Sequence, residues 1–246
     1  MENKMENQIL KQKKEEEYFK LRNLDWLSSV WKITTVNPKF QKFELGESHS
    51  ASFPEEVAYR LISLFSKEGD YILDPFCGSG TTNYVALALG RKTIGYDIEE
   101  KYIHLSKKRV FGKGLLFCKS SEQMNEVFDN SIQLCITSPP YLNIRKYSNN
   151  AKNIGNMNDP YPILKKVFEE VFRKLKKGGY FCLNVAGIAE EGYLNTFPFD
   201  LINLCKEIGF KLRSSIIWDK GITIKDWNIK NNEISENHEY IWIFKK

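Results

Sequence analysis

The 246-residue chain is short of the features that mark membrane, metal-binding and disulfide-linked proteins. No apolar run approaches the ~20 residues that cross a bilayer, and the N-terminus is too charged for a secretory signal. The five cysteines are odd in number and lack Cys-x-x-Cys spacing, while the three histidines are widely scattered. We therefore expect a cytoplasmic protein that needs neither a metal ion nor a disulfide framework.

Length and composition predict one α/β domain. With 42% hydrophobic residues, the chain can bury a substantial core. Residues 1–45 look like a charged tail and lead-in segment, whereas 46–246 indicate a single domain without a large separate module for target recognition. The net charge of +5 is modest, so the positions of the basic residues matter more than their sum.

The apolar pattern predicts a seven-stranded, mostly parallel, doubly wound sheet. Residues 160–175 and 199–208 have helical periodicity, and Gly178-Gly179 should stop the first of these helices. The strands at 212–218 and 240–244 are joined by a short polar stretch, which favours an antiparallel hairpin at the sheet edge.

A glycine-rich string follows the first clear strand. Residues 74–82 read Asp-Pro-Phe-Cys-Gly-Ser-Gly-Thr-Thr after the apolar run 71–73. A strand, a loop with Gly78 and Gly80 and then a helix N-terminus is the usual place for a nucleotide-like cofactor, although an isolated Gly-x-Gly is often only a structural turn. Asn83 stands where the third glycine of the dinucleotide fingerprint would be, which disfavours NAD and FAD.

An acidic residue ends the next predicted strand. Asp97 follows residues 92–96, about 20 residues beyond the glycine string, the spacing of a carboxylate that binds ribose hydroxyls. The alternative is that Asp97 caps the helix predicted over 99–109.

The second informative string is Thr-Ser-Pro-Pro-Tyr at 137–141, directly after the apolar strand 132–136. Two consecutive prolines fix the backbone. Ser138 Oγ and the Pro139 carbonyl could then hold both hydrogens of an exocyclic amine and direct its lone pair at a sulfonium methyl group. Tyr141 would stack on a flipped base. The alternative is a structural Pro-Pro turn beside a core tyrosine.

The two strings together resemble DNA amino-methyltransferases, which use S-adenosylmethionine to modify N4 of cytosine or N6 of adenine. The resemblance runs from about His49 to Lys246 and implies the Rossmann-like class I methyltransferase fold. It implies a cofactor site formed by Phe53, Pro54, Asp74, Phe76, Gly78, Ser79, Gly80, Thr81 and Asp97. It also implies catalysis by Ser138, Pro139, Pro140 and Tyr141.

Two departures from the family pattern are visible. The glycine string precedes Ser138, whereas family members with this wording typically place the catalytic string first, so the order looks circularly permuted. The family often has Asp before Ser where this chain has Lys119-Ser120-Ser121. Without that acid, Ser120 or a backbone group is expected to bind the adenine of the cofactor.

The resemblance implies double-stranded DNA as partner, with a cognate restriction enzyme or second subunit left open. Basic and aromatic residues after the catalytic string suit phosphate and base contacts. The resemblance also places Trp218 on a strand that lies beside the base pocket in the family. The candidates for nucleic-acid contact are Arg145, Lys146, Tyr147, Lys152 and Trp218.

Three function classes remain open from sequence. The first is a DNA methyltransferase, with N4-cytosine preferred over N6-adenine because Ser rather than Asp or Asn opens the Pro-Pro-Tyr string, which is a family tendency. The second is an RNA or protein amino-methyltransferase. The third is a non-catalytic DNA-binding partner, which the intact string disfavours.

Overall fold

The computed structural model describes residues 24–34, 53–140, 153–187, 189–190, 193–221 and 237–246. Within them, a mixed sheet of eight strands organises the molecule. In chain order, the strands of this sheet are β1 (Val30–Lys32), β2 (Tyr71–Asp74), β3 (Lys92–Asp97), β4 (Leu115–Cys118), β5 (Ile132–Thr137), β6 (Leu175–Ala186), β9 (Lys211–Asp219) and β10 (His238–Lys245). The short strands β7 (Ala189–Glu190) and β8 (Tyr193–Leu194) form a separate hairpin.

The spatial order of the sheet is β1-β9-β10-β6-β5-β2-β3-β4. Within the part of this eight-stranded sheet that the structure describes, only β10 runs antiparallel to its neighbours, and the other pairings of the sheet are parallel. The predicted α/β sheet and its antiparallel pair are therefore confirmed, with one strand more than the seven expected. The additional strand is β1, which pairs with β9 at residues 217–219 and lies outside the hairpin.

Helices cover both faces of the sheet. They are α1 (Glu55–Phe65), α2 (Thr81–Ala88), α3 (Glu100–Arg109), α4 (Tyr161–Lys174) and α5 (Phe197–Ile208), with 3₁₀ turns at Leu24–Leu27 and Ile154–Asn156. The apolar stripes of α1 and α2 pack on one face, and those of α4 and α5 pack on the other. Neighbouring residues of one strand, such as Ile72 and Leu73, enter opposite cores, which is the doubly wound arrangement. No helix among the described residues is long and apolar enough to span a bilayer.

The end of α4 differs from the sequence prediction. The helix stops at Lys174, and Leu175 is already extended, so Gly178-Gly179 does not end it. Gly178 instead has a φ of 80° inside β6, and a Cβ on Gly179 would lie 3.0 Å from the Lys176 carbonyl oxygen. The two glycines therefore permit a tight bend within the strand.

Part of the lead-in segment is fastened to the sheet through Trp31. This side chain is fully buried, and the Arg60 guanidinium of α1 lies 5.3 Å from its ring centroid. The same guanidinium carbon is 5.6 Å from the centroid of the Trp26 ring, and Arg60 Nη1 is 3.4 Å from Asp25 Oδ2. The stacked cation and the indole together hold β1 against the domain.

Trp31→Ala should destabilise the whole domain by about 3–5 kcal/mol, because it empties a fully buried indole site. Urea unfolding followed by circular dichroism measures the change. Val30→Ala is the matched control on the same strand, since Val30 is half exposed and its truncation should cost within about 0.5 kcal/mol. Equal stability of the Trp31 variant and wild type would show that β1 is not part of the cooperative unit.

Candidate functional site

A cavity of about 360 Å³ opens where β2, β3 and β5 end. Because these strands are parallel neighbours, their terminal residues Asp74, Asp97 and Thr137 meet at one edge of the sheet. The predicted site residues that line the cavity are Phe53, Asp74, Phe76, Gly78, Ser79, Thr81, Asp97, Ser120, Ser138, Pro139 and Pro140. Residues from both sequence strings therefore face the same space.

The glycine loop lies close against α3. Gly80 is the N-cap residue of α2 and has a φ of 81°, and a Cβ there would collide with Ser106 Oγ. Gly78 also has a positive φ, of 48°. Both conformations favour glycine, and Gly80 requires it for space as well. Gly80 supports the loop from behind and does not line the cavity.

Asp97 accepts hydrogen bonds with both carboxylate oxygens, one of them from this loop. Oδ2 accepts a 2.9 Å hydrogen bond from the Gly78 N–H, and Oδ1 accepts one of 2.9 Å from the Glu99 N–H. The N-cap residue of α3 is Glu99, so Asp97 is not the helix cap. Burial raises the pKa of Asp97 to about 6, although both backbone donors favour the ionised form. Each oxygen retains a lone pair that can accept a hydrogen bond from a ribose hydroxyl. The contact with ribose stays a prediction.

Asp74 joins the two sequence strings. Its Oδ1 accepts a 2.7 Å hydrogen bond from Thr137 Oγ1 and one of 3.1 Å from the Phe76 N–H. Burial raises the pKa of this carboxyl to about 6, and the hydrogen bond from Thr137 opposes that shift only in part. The loop after β2 and the loop after β5 are thus held to one another by a desolvated carboxylate.

Two acidic residues of the cavity were missed from sequence. Glu122 Oε1 is 3.0 Å from Ser120 Oγ, so an acid does accompany Ser120, but it follows the serine instead of preceding it. Glu99 Oε1 is buried without a hydrogen-bond partner among the described residues. The sequence signal for both was an acidic residue two positions after a predicted site residue, as in Ser120-Ser121-Glu122 and Asp97-Ile98-Glu99.

Part of the cavity lining is apolar and was also missed. It includes residues at the second 3₁₀ turn and on α4, namely Ile154, Met157, Ile163 and Val167. A cavity lined by carboxylates, bare backbone and apolar side chains suits a ligand with a polar and an apolar part. Among the residues that the structure describes, no group of three or more His, Cys, Asp or Glu side chains is placed to hold a metal ion.

Some predicted site residues do not join the cavity. Pro54 is the N-cap residue of α1 and does not line it. Trp218 is only 2% exposed, and its Nε1 donates a 2.8 Å hydrogen bond to the Ile33 carbonyl oxygen in the core beneath β1. The expected contact of Trp218 with a base is therefore wrong, since no face of its ring is open. Outside the described residues lie Tyr141, Arg145, Lys146, Tyr147 and Lys152.

Comparison with solved structures defines the fold. A TehB-like SAM-dependent methyltransferase of Corynebacterium glutamicum superposes with a TM-score of 0.52 at 16% identity, covering 80% of this chain and 90% of that one. A SAM-dependent methyltransferase of Methanosarcina mazei gives 0.54 at 17% identity, covering 76% and 96%. The sheet and its helices are thus of the Rossmann-like methyltransferase type.

The chain belongs to the N6/N4 DNA methylase family, whose model matches residues 1–108 and 132–246. Type II methyltransferase M.MthZI of Methanothermobacter thermautotrophicus is 38% identical over 101 residues, which are 41% of this chain and 28% of that protein. Type II methyltransferase M2.LlaDCHI of Lactococcus lactis subsp. cremoris is 53% identical over 84 residues, 34% of this chain and 30% of its relative. The matched segments span less than a third of these relatives.

The raised pKa of Asp74 predicts a pH-dependent stability. Folding lifts this pKa from about 3.9 towards 6, so the folded state binds the proton more tightly, and stability falls as pH rises from 4 through 6. The contribution of Asp74 to that fall is on the order of 3 kcal/mol. Urea unfolding at several pH values should show that Asp74→Asn removes it.

Asp97 titrates in the same direction, so Asp97→Asn should remove a second part of the fall and the double variant most of it. Parallel pH profiles for wild type and both single variants would contradict the assignment.

Proposed function

We propose that this protein transfers a methyl group from S-adenosylmethionine to the exocyclic amine of a base in double-stranded DNA, with N4 of cytosine as the preferred target. The observation that carries the proposal is the shared cavity. The glycine loop and Ser138-Pro139 open into one space and are tied together by the Asp74–Thr137 hydrogen bond. Family membership and the Type II methyltransferase relatives support the reaction class.

The cavity fits such a cofactor chemically. Ribose hydroxyls need acceptors, and Asp97 and Glu99 supply carboxylate oxygens beside the bare backbone of Gly78. An adenine ring needs apolar faces and a partner for its amine, and Glu122 next to Ser120 supplies an acidic acceptor. S-adenosylmethionine supplies an electrophilic methyl group when bound. The chain itself holds the cofactor and positions the amine.

Ser138 and Pro139 carry the chemistry in this proposal. The amine of a base is a weak nucleophile because its lone pair is delocalised into the ring. Acceptance of its two hydrogens by Ser138 Oγ and the Pro139 carbonyl localises that lone pair, and the rigid proline pair keeps the geometry. A bound S-adenosylmethionine would supply the methyl group and leave as the thioether with the bonding electron pair, while the amine held by Ser138 and Pro139 would release one proton to solvent water.

The finer points of the proposal remain predictions. N6-adenine is the alternative target base, and an RNA or protein amine is the alternative substrate class. The permuted motif order, a cognate restriction enzyme or second subunit, and phosphate contacts by Arg145, Lys146 and Lys152 also stay predictions. Stacking of a flipped base on Tyr141, with Tyr147 nearby in sequence, completes the expected DNA contacts.

Cofactor binding is expected to depend on Gly78 and on pH. Gly78→Val should abolish binding of S-adenosylmethionine, because a β-branched residue is strained at a φ of 48° and fills space beside the loop. In wild type, affinity should weaken as pH falls through 6, because protonation of Asp97 removes an acceptor that holds the loop. Isothermal titration calorimetry measures both effects.

Gly112→Val is the matched control, since Gly112 has a φ of 70° and a Cβ added there would meet nothing within 4 Å. It carries the same backbone strain away from the cavity and should bind normally. Undiminished affinity of folded Gly78→Val would remove the loop from the cofactor site.

The reaction is tested with tritiated S-adenosylmethionine and double-stranded DNA, RNA or total protein as acceptor. Mass spectrometry of digested DNA should show N4-methylcytosine. Ser138→Ala should lower kcat by about 100-fold with little change in cofactor affinity, as for loss of one preorganised hydrogen-bonding group. Tyr141→Ala should also lose turnover, with partial rescue when the target base is mismatched.

The product decides between the alternatives. Detection of N6-methyladenine would show that the target base is adenine instead of cytosine, and the proposed mechanism would still hold. Label in RNA or protein with none in DNA would reject the DNA proposal.

A further inference from the structure

Behind the catalytic string, an asparagine of β6 contacts Ser138. Asn184 is 2% exposed, and its Nδ2 lies 3.4 Å from Ser138 Oγ and 2.7 Å from Glu239 Oε2. Asn184 does not line the cavity, so any effect it has on a ligand passes through Ser138. The contact to the serine is long, as catalytic hydrogen bonds often are before substrate binds.

Glu239 fixes which way the Asn184 amide faces. A carboxylate only accepts hydrogen bonds, so the amide must turn its NH₂ group towards Glu239. The rotated amide would set its oxygen against the carboxylate. Lys220 Nζ lies 3.2 Å from Glu239 Oε1 and so helps to hold that carboxylate in place. The remaining hydrogen of Nδ2 is therefore directed at Ser138.

This orientation of the Asn184 amide lowers the stability of the fold. Asn184 Oδ1 is buried and has no hydrogen-bond partner among the described residues. A buried acceptor without a partner destabilises the folded state, and each such group in a native protein calls for an explanation. An asparagine that served stability alone would be expected to satisfy both ends of its amide.

We propose that Asn184 and Glu239 are positioning residues for methyl transfer. Asn184 donates to one lone pair of Ser138 Oγ and so fixes the hydroxyl with its second lone pair towards the target amine. Glu239 acts one step further back by orienting the asparagine. This inference rests on the proposed function, because it assigns Ser138 as the acceptor of an amine hydrogen.

The kinetic test uses Asn184→Leu, which keeps the number of side-chain heavy atoms and the branching at Cγ while removing both polar groups. We expect kcat on DNA to fall about 10- to 100-fold, the effect of misplacing a reacting group, with the Kd for S-adenosylmethionine unchanged. The thermal midpoint should not fall, since the substitution also removes the unpartnered oxygen. A purely structural asparagine would show the opposite pattern, a lower midpoint with kcat per folded molecule retained.

Variants of the second residue separate orientation from charge. Glu239→Leu should reduce kcat as Asn184→Leu does, whereas Glu239→Gln retains an acceptor oxygen and should recover most of the activity. Glu207→Gln is the control, because Glu207 is exposed and pairs only loosely with Lys165, at 3.9 Å, on helices that do not carry the network. Wild-type kcat in Asn184→Leu or Glu239→Leu would overturn the inference.

A second readout does not depend on turnover. The Asn184 side-chain NH₂ resonances, assigned by their loss in Asn184→Leu, should exchange slowly and shift in both Ser138→Ala and Glu239→Leu. Resonances that respond to neither substitution would overturn the network even if wild type proved inactive on DNA. Inactivity of wild type with responsive resonances would instead count against the proposed function alone.

Discussion

The hydrogen bond from Thr137 Oγ1 to Asp74 Oδ1 is the interaction on which the site depends. It joins the ends of β2 and β5, which are adjacent parallel strands paired at Leu73 and Cys135. Parallel strands bring their carboxyl ends to one edge, so two strings far apart in the chain meet there. The bond thus holds the glycine loop after β2 to the loop after β5 that carries Ser138.

The loops around this bond are fixed by polar and charged groups in addition to apolar packing of Phe76 and Cys77. Asp97 holds Gly78, and Arg109 donates a 2.9 Å hydrogen bond to Thr81 Oγ1 while pairing with the Glu55 carboxylate. These contacts tie the starts of α1 and α2 to the end of α3. Burial of the ionised carboxylates lowers the stability of the fold, as the raised pKa values of Asp74 and Asp97 indicate. In return, the loops of the site are held in a preorganised arrangement.

Sequence predicted the features that depend on local pattern and missed those that depend on long-range contacts. The glycine loop and the Ser138-Pro139 string follow apolar strands, so their positions could be inferred. Strand β1 has only three residues, too few for a periodic pattern. It is held in place by the stacking of Arg60, which is distant in sequence, on Trp31. The error at Trp218 has a related cause, because a resemblance placed its strand, whereas its burial depends on packing with the distant residues Trp31 and Ile33.

The antiparallel direction of β10 connects the fold to the chemistry. In register, Glu239 lies opposite Ala186 at the carboxyl end of β6, next to Asn184. A parallel strand in that place would bring its last residues, near Lys245, to the same edge. Reversal of β10 is thus what sets the Glu239 carboxylate beside the asparagine that contacts Ser138.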